Sequence, residues 1–256
     1  ISLDVTAFTC SDLGANTVTL TATDGSSTDT ATAVVTVEDS ILPTVVPQDI
    51  TVQLDANGSA TITPSQIDNG SSDNCSIASM SLDITDFTCA VSGINTVTLT
   101  VTDTAGNSVD ATAEVTVEDV MAPTVLLQDI TVQLDGSGNT SIVVADIDNG
   151  ITDNCSIASM SLDVTDFTCA NLGTNVVTLT VVDGEGNSAS NTAVVTVVDV
   201  VAPTVLTQDI TVQLGAGGQV SITPAQINNG SSDSCTSSVN LTYSLDITDF
   251  TCSDLG

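Results

Sequence analysis

The sequence predicts an all-β chain of tandem sandwich modules, and three observations carry that prediction. More than a third of the 256 residues are β-branched, with 42 Thr, 34 Val and 17 Ile, and side chains stiff at χ1 suit a pleated sheet. Of the 32 acidic residues, 28 are Asp and four are Glu; Asp belongs to turns and loop ends, whereas Glu would decorate helices. Apolar residues recur with period two and never with helical spacing, the mark of strands with one face inward.

The elements follow in order along one stretch of chain. Asp49-Ile50-Thr51-Val52-Gln53-Leu54-Asp55 alternates and predicts a half-buried strand. Asp55-Ala56-Asn57-Gly58 ends it with turn chemistry, and Pro64-Ser65-Gln66-Ile67 fits a single turn of helix. Asp68-Asn69-Gly70 is a second turn. Between Leu82 and Cys89 the alternation changes phase, Ile84 against Phe87, which predicts a bulge or a bend between sheets near Thr85-Asp86. Thr96–Thr102 and Ala113–Glu118 are two further alternating strands. Roughly seven short strands in eighty residues predict an immunoglobulin-like β-sandwich.

That stretch repeats. Gln-Asp-Ile-Thr-Val-Gln-Leu begins at Gln48, Gln128 and Gln208, and Pro-Thr-Val begins at Pro43, Pro123 and Pro203, always 80 residues apart. Module boundaries placed just before each Pro-Thr-Val give 1–42 as the back part of one module. Residues 43–122 and 123–202 are then complete modules, and 203–256 is the front part of a fourth. Cys-Ser-Asp-Leu-Gly occurs at Cys10 and again at Cys252. This fits an excerpt from a longer periodic polypeptide, and equally a chain with incomplete outer modules. The expected architecture is an extended array of modules of about 80 residues.

Seven cysteines resolve into pairs once the repeat is imposed. Cys75 with Cys89, Cys155 with Cys169, and Cys235 with Cys252 fall within modules. Cys10 is left to pair upstream or with a neighbouring chain. Such short-loop bridges would each contribute about 3 kcal/mol. Without His or a Cys-x-x-Cys motif, thiolate zinc is disfavoured. Structural disulfides imply an oxidising, extracellular compartment.

The chain has no Lys, Arg or His and a formal charge of −32. Nucleic-acid binding and polybasic membrane contact are excluded. So are histidine-based catalysis, Schiff-base lysines and phosphate-binding lysine loops. Paired carboxylates recur in every module rather than marking one, which argues against an enzyme. No stretch approaches 18 uninterrupted apolar residues, so no membrane-spanning helix is expected.

Cations are the partners that remain, and three acidic groupings recur. The first lies before the repeated proline: Glu38-Asp39, Glu118-Asp119 and Val198-Asp199. The second is the turn from Asp103 to Asn107 and its copy from Asp183 to Asn187. The third runs from Asp68 to Asn74, and is matched from Asp148 to Asn154 and from Asn228 to Asp233. Hard cations such as Ca²⁺ take six to eight oxygen ligands of these kinds. A junction where the first and second groupings met would stiffen the link between modules and offset repulsion along the chain. The competing reading is turn geometry alone, since Asp-Asn-Gly and Asp-x-x-Gly-Asn are ordinary turn sequences.

The residues also carry a resemblance. Ala122-Pro123, Gln128–Leu134, Asp153-Asn154-Cys155, Thr178–Asn187 and Val195–Asp199 together resemble the hyalin-repeat (HYR) family. The version closest in wording is the one repeated in giant secreted surface proteins of Bacteroidota, gliding adhesins among them. The resemblance implies an immunoglobulin-like fold, export to the cell surface and a role as an adhesin stalk or filament. Many family members carry a further cysteine pair; here Pro47, Leu127 and Thr207 occupy one of its positions and Ala111 or Asn191 lies near the other.

The expected function is therefore structural: a segment of a long surface filament mediating reach and attachment. Its partners would be neighbouring repeats, with lateral self-assembly between chains as a further possibility. The rival expectation is a repeat array that binds a glycan or protein ligand through its loops. With no Trp and one Tyr, an aromatic sugar platform is not expected.

Overall fold

A computed structural model describes residues 1–255. It is almost entirely β, and its contacts divide it into two compact units, Ile1–Met121 and the chain from Ala122 onward.

The first unit opens with β1 (Ser2–Leu3), β2 (Gly14–Thr23) and β3 (Thr28–Val37), an antiparallel sheet in that order. The sandwich that follows comprises β4 (Ile50–Gln53), β5 (Ser59–Thr61), α1 (Pro64–Ile67), β6 (Ile77–Leu82), β7 (Asp86–Thr88), β8 (Gly93–Asp103) and β9 (Ser108–Glu118). One layer is the four-stranded sheet β4-β9-β8-β6, with β4 parallel to β9 and the other pairs antiparallel. The other holds the β5-β7 pair and the isolated bridges Thr44 to Ser72 and Pro47 to Asp68.

The phase change between Ile84 and Phe87 is a passage between sheets. β6 pairs with β8, and after three intervening residues β7 pairs with β5. Asp83 makes the corner: its N–H donates to the Thr98 carbonyl, and its carboxylate accepts the Thr98 N–H at 2.7 Å. Phe87 thereby turns inward and is 1% exposed, packed in a core with Ile62, Ile67, Val97, Leu99, Val101, Val115 and Val117. The single turn of helix at Pro64 is present, with Gln66 accepting the Thr63 N–H.

The second unit repeats this plan one step on. β10 (Ile130–Gln133), β11 (Asn139–Ser141), α2 (Val144–Ile147), β12 (Ile157–Leu162), β13 (Asp166–Thr168), β14 (Gly173–Asp183) and β15 (Ser188–Val198) form a sandwich of the same topology. Its core holds Ile142, Ile147, Phe167, Val177, Leu179, Val181, Val195 and Val197. β16 (Gln219–Ser221), α3 (Pro224–Ile227) and β17 (Asp249–Thr251) follow. The third copy of the opening strand, Ile210–Gln213, is not a strand: β4 and β10 pair with β9 and β15, and no such neighbour flanks it among the described residues. No described helix is long and apolar enough to cross a membrane.

The cysteine pairing differs from the sequence expectation. Cys10 is bonded to Cys75 and Cys169 to Cys235, with Cα–Cα distances of 5.3 and 5.1 Å. Cys252 is a free, exposed thiol, so Cys75–Cys89, Cys155–Cys169 and Cys235–Cys252 are not the bridges, and Cys10 is not unpaired. The reason is strand direction. Cys89 lies just before the start of β8, whereas the loop after Cys75 meets the other end of β8, where the Thr104 N–H donates to the Ser76 carbonyl. Eleven residues of β8 at about 3.3 Å each put more than 30 Å between them, and a disulfide needs Cα atoms within about 7 Å. The observed bridges close loops of 65 and 66 residues, worth about 4 kcal/mol each on chain-entropy grounds against about 3 for the short loops.

Candidate metal centre

Period two delivers carboxylates to the end of the core. On β8 the inward positions are Val97, Leu99 and Val101, all fully buried, and the next inward position is Asp103, 1% exposed. β3 ends in the same way: Val35 and Val37 face inward, and Asp39 follows, half-buried. Asp73 comes from the loop between the Thr44–Ser72 bridge and β6, also half-buried. Asp39, Asp73 and Asp103 each offer a carboxylate oxygen, and these oxygens lie within 4.8 Å of one another.

Asparagines hold the three in place. Asn107 donates its backbone N–H to Asp103 Oδ1 at 2.8 Å and its side-chain amide to Asp103 Oδ2 at 2.7 Å. The same amide reaches the backbone carbonyls of Asp39 and Ile41 at 3.1 and 3.3 Å. Asn74 donates to both carboxylate oxygens of Asp39, at 3.3 and 3.2 Å, and the Ile41 N–H donates to Asp39 Oδ1. Asp73 Oδ2 accepts the Cys75 N–H at 2.8 Å. Its other oxygen is shut off from solvent and has no hydrogen-bond partner.

Burial pushes the Asp103 carboxyl up, but the Asn107 side chain and backbone, with the Gly106 and Ala105 amides, outweigh it and hold the group below the usual carboxylate range. It is therefore ionised at neutral pH. Two unit charges at such a separation repel by roughly 3 kcal/mol at an effective dielectric of 20. The chain has no side chain of opposite sign to offset this. A cavity of about 340 Å³, walled by Leu13, Glu38, Asp39, Ser40, Asn74 and Cys75, borders the triad at Asp39. A larger cavity of about 560 Å³ lies among Gln208, Asp209, Ile210, Ile222 and Phe250, but it brings in one carboxylate only.

The remaining sequence candidates take different positions. Glu38 and Glu118 are exposed, one residue out of the inward register. Asp68 accepts the Ser71 and Gly70 N–H groups, and Asp148 those of Gly150 and Ile151, so both make turns. Asp199 is half-buried and accepts the Val201 N–H. Asp119, one step of 80 residues after Asp39, is 5% exposed. In the second unit, Asp183 is 2% exposed and clasped by Asn187 at 2.8 Å through both backbone and side chain. Asp153 lies within 4.8 Å of it; its Oδ1 accepts the Cys155 and Ser156 N–H groups, and its Oδ2 is buried without a partner.

Sequence reasoning brought Asp39 toward Asp103 and Asn107 but left Asp73 and Asn74 with Asp68 in a separate grouping. The signal for the pair on strands was the continued alternation through Val101 to Asp103. For Asp73 and Asn74 the signal was adjacency to Cys75, usable only with the right disulfide.

No protein-family model matches the chain, and no curated protein matches it. Similar solved structures include PcdhgB3 EC1-4, at TM-score 0.35 and 14% identity over 77% of this chain and 60% of that one. Another is Protocadherin Gamma B7 extracellular cadherin domains 1-4, at 0.31 and 13% over 80% and 63%. A third is human mucin-like protocadherin EC1-2, at 0.31 and 13% over 61% and 98%. The chain spans 60% and 63% of the length of the first two. Likeness at these scores does not extend to function, and the hyalin-repeat resemblance rests on the sequence motifs alone.

Proposed function

We propose that the chain is a segment of a secreted surface filament or adhesin stalk whose module junctions are clamped by a hard divalent cation, Ca²⁺. The observation that carries this reading is the convergence of Asp39, Asp73 and Asp103 within 4.8 Å. Asp73 contributes a buried, unpartnered oxygen, in a chain with no cationic side chain. An all-oxygen donor set of carboxylates suits Ca²⁺ rather than a softer metal, with waters and loop carbonyls completing the shell. Asp39 belongs to the segment before the proposed boundary at Pro43, and Asp73 and Asp103 to the module after it, so a bound ion would tie the two together. The same three positions recur in sequence as Asp119, Asp153 and Asp183. The oxidised cysteines support export to an oxidising compartment, and the hyalin-repeat resemblance supports a surface filament.

Calorimetric titration of Ca²⁺ into the chelator-stripped chain tests the clamp. Loss of one site's heat of binding in Asp39→Asn and in Asp103→Asn is expected. Titrations that those substitutions leave unchanged would refute it.

A further inference from the structure

The loop that supplies Asp73 is held by a covalent bond as well as by the fold. Asp73, Asn74 and Cys75 are consecutive, and each makes one contact with the other side of the junction or with its neighbour. Asp73 enters the triad, Asn74 donates to the Asp39 carboxylate, and Cys75 is bonded to Cys10. The Cys75 N–H also fixes the Asp73 carboxylate at 2.8 Å, and the Cys10 sulfur lies 3.7 Å from the Asn74 carbonyl oxygen.

Cys10 and Asp39 leave the same end of one sheet. β2 begins at Gly14, just after the Cys10–Asp12 turn, and Gly14 is paired with Val37, two residues before Asp39. The disulfide therefore ties the Asp73 loop to the sheet edge from which Asp39 projects. Without it, Asp39 is kept near Asp73 by the Asn74 hydrogen bonds, by the Asn107 amide on the Asp39 and Ile41 carbonyls, and by the short chain from Asp39 to the Thr44–Ser72 bridge, with no covalent tie beyond that chain. Mutual repulsion among the carboxylates would then be free to open the triad.

From this geometry we infer that the Cys10–Cys75 disulfide is a positioning element of the cation site, so that cation affinity and the redox state of this one bond are linked. The inference rests on the cation reading above and adds its regulation. Reduction by an external dithiol transfers two electrons: the sulfur–sulfur bond breaks, each sulfur takes up a proton, and the dithiol closes to its own disulfide. Cys10 is exposed and Cys75 half-buried, so the bond is within reach of such a reagent. The site would thus be complete only after oxidation, and a cation once bound would protect the bond by the same factor.

The test compares Ca²⁺ affinity of the oxidised chain with that of the Cys10→Ser/Cys75→Ser double variant, the heat absent from Asp39→Asn defining the site. At least ten-fold weaker binding is expected in the double variant. In the wild-type chain, saturating Ca²⁺ should raise by the same factor the dithiol concentration that half-reduces Cys10–Cys75, read by alkylation and peptide mapping. This second measurement needs no variant and decides the matter if the serine variant fails to fold. Equal affinity with the bond open, or reduction indifferent to Ca²⁺, overturns the linkage alone. An oxidised chain that shows no Asp39-dependent Ca²⁺ heat overturns the cation reading and the linkage with it.

Discussion

At the scale of single residues, aspartate supplies acceptors to backbone N–H groups that the sheets leave without one. Asp83 accepts the Thr98 N–H at 2.7 Å, Asp163 accepts that of Thr178 at 2.8 Å, and Asp4 that of Thr19 at 2.7 Å. In Asp83 the Thr98 amide is the largest influence and holds the carboxyl below its ordinary range. A depressed folded-state pKa contributes stability that is complete above the unfolded value, near 3.9, and is lost as pH falls through the lower folded value. Asp83→Ala is therefore expected to cost on the order of 1 kcal/mol at pH 7. The gap from wild type should stay constant above about pH 5 and close below about pH 4. Urea unfolding of the two chains at pH 7 and pH 3 reads this directly. A gap of the same size at pH 3 would mean that charge is not what holds the corner.

At the scale of elements, the corner at Asp83 separates what could be read from the sequence from what could not. Alternation in Thr96–Thr102 and Ala113–Glu118 was enough to place β8 and β9, and the phase change at Thr85-Asp86 was enough to predict a switch of sheet. Cysteine pairing was not legible, because fourteen residues of separation look short until Cys75 and Cys89 are seen to lie toward opposite ends of β8. The same placement hid the third carboxylate, since Asp73 reaches Asp39 only from the far end. Phe87 reports on the switch itself. It sits in the three-residue strand β7 and is 1% exposed, so Phe87→Ala is expected to cost about 3–5 kcal/mol. Phe8 holds the equivalent repeat position but is half-buried, and Phe8→Ala should cost less than half as much. Paired thermal melts check the ratio, and equal losses would contradict the assigned packing.

At the scale of the whole molecule, the charge of −32 makes solvent cations part of the energetics whether or not any ion is bound at a site. The two contributions separate by sign. Monovalent salt shortens the screening length from about 30 Å at 0.01 M to about 8 Å at 0.15 M, so stability of the chelator-stripped chain should rise over that interval. Specific binding adds a further increment of about 2.7 kcal/mol at a hundred-fold excess over the dissociation constant, which equal ionic strength cannot reproduce. Asp39→Asn should then act in opposite directions. In chelator at low salt it removes one of three mutually repelling charges, while its amide oxygen can still accept from Asn74 and Ile41. It should therefore stabilise, by on the order of 1 kcal/mol. In millimolar Ca²⁺ it removes a ligand and should leave the variant less stable than wild type. Melts of both chains in chelator, in NaCl and in CaCl₂ of matched ionic strength would show that crossover. A substitution that stabilises equally in all three would reduce Asp39 to one more repelling charge on an acidic surface.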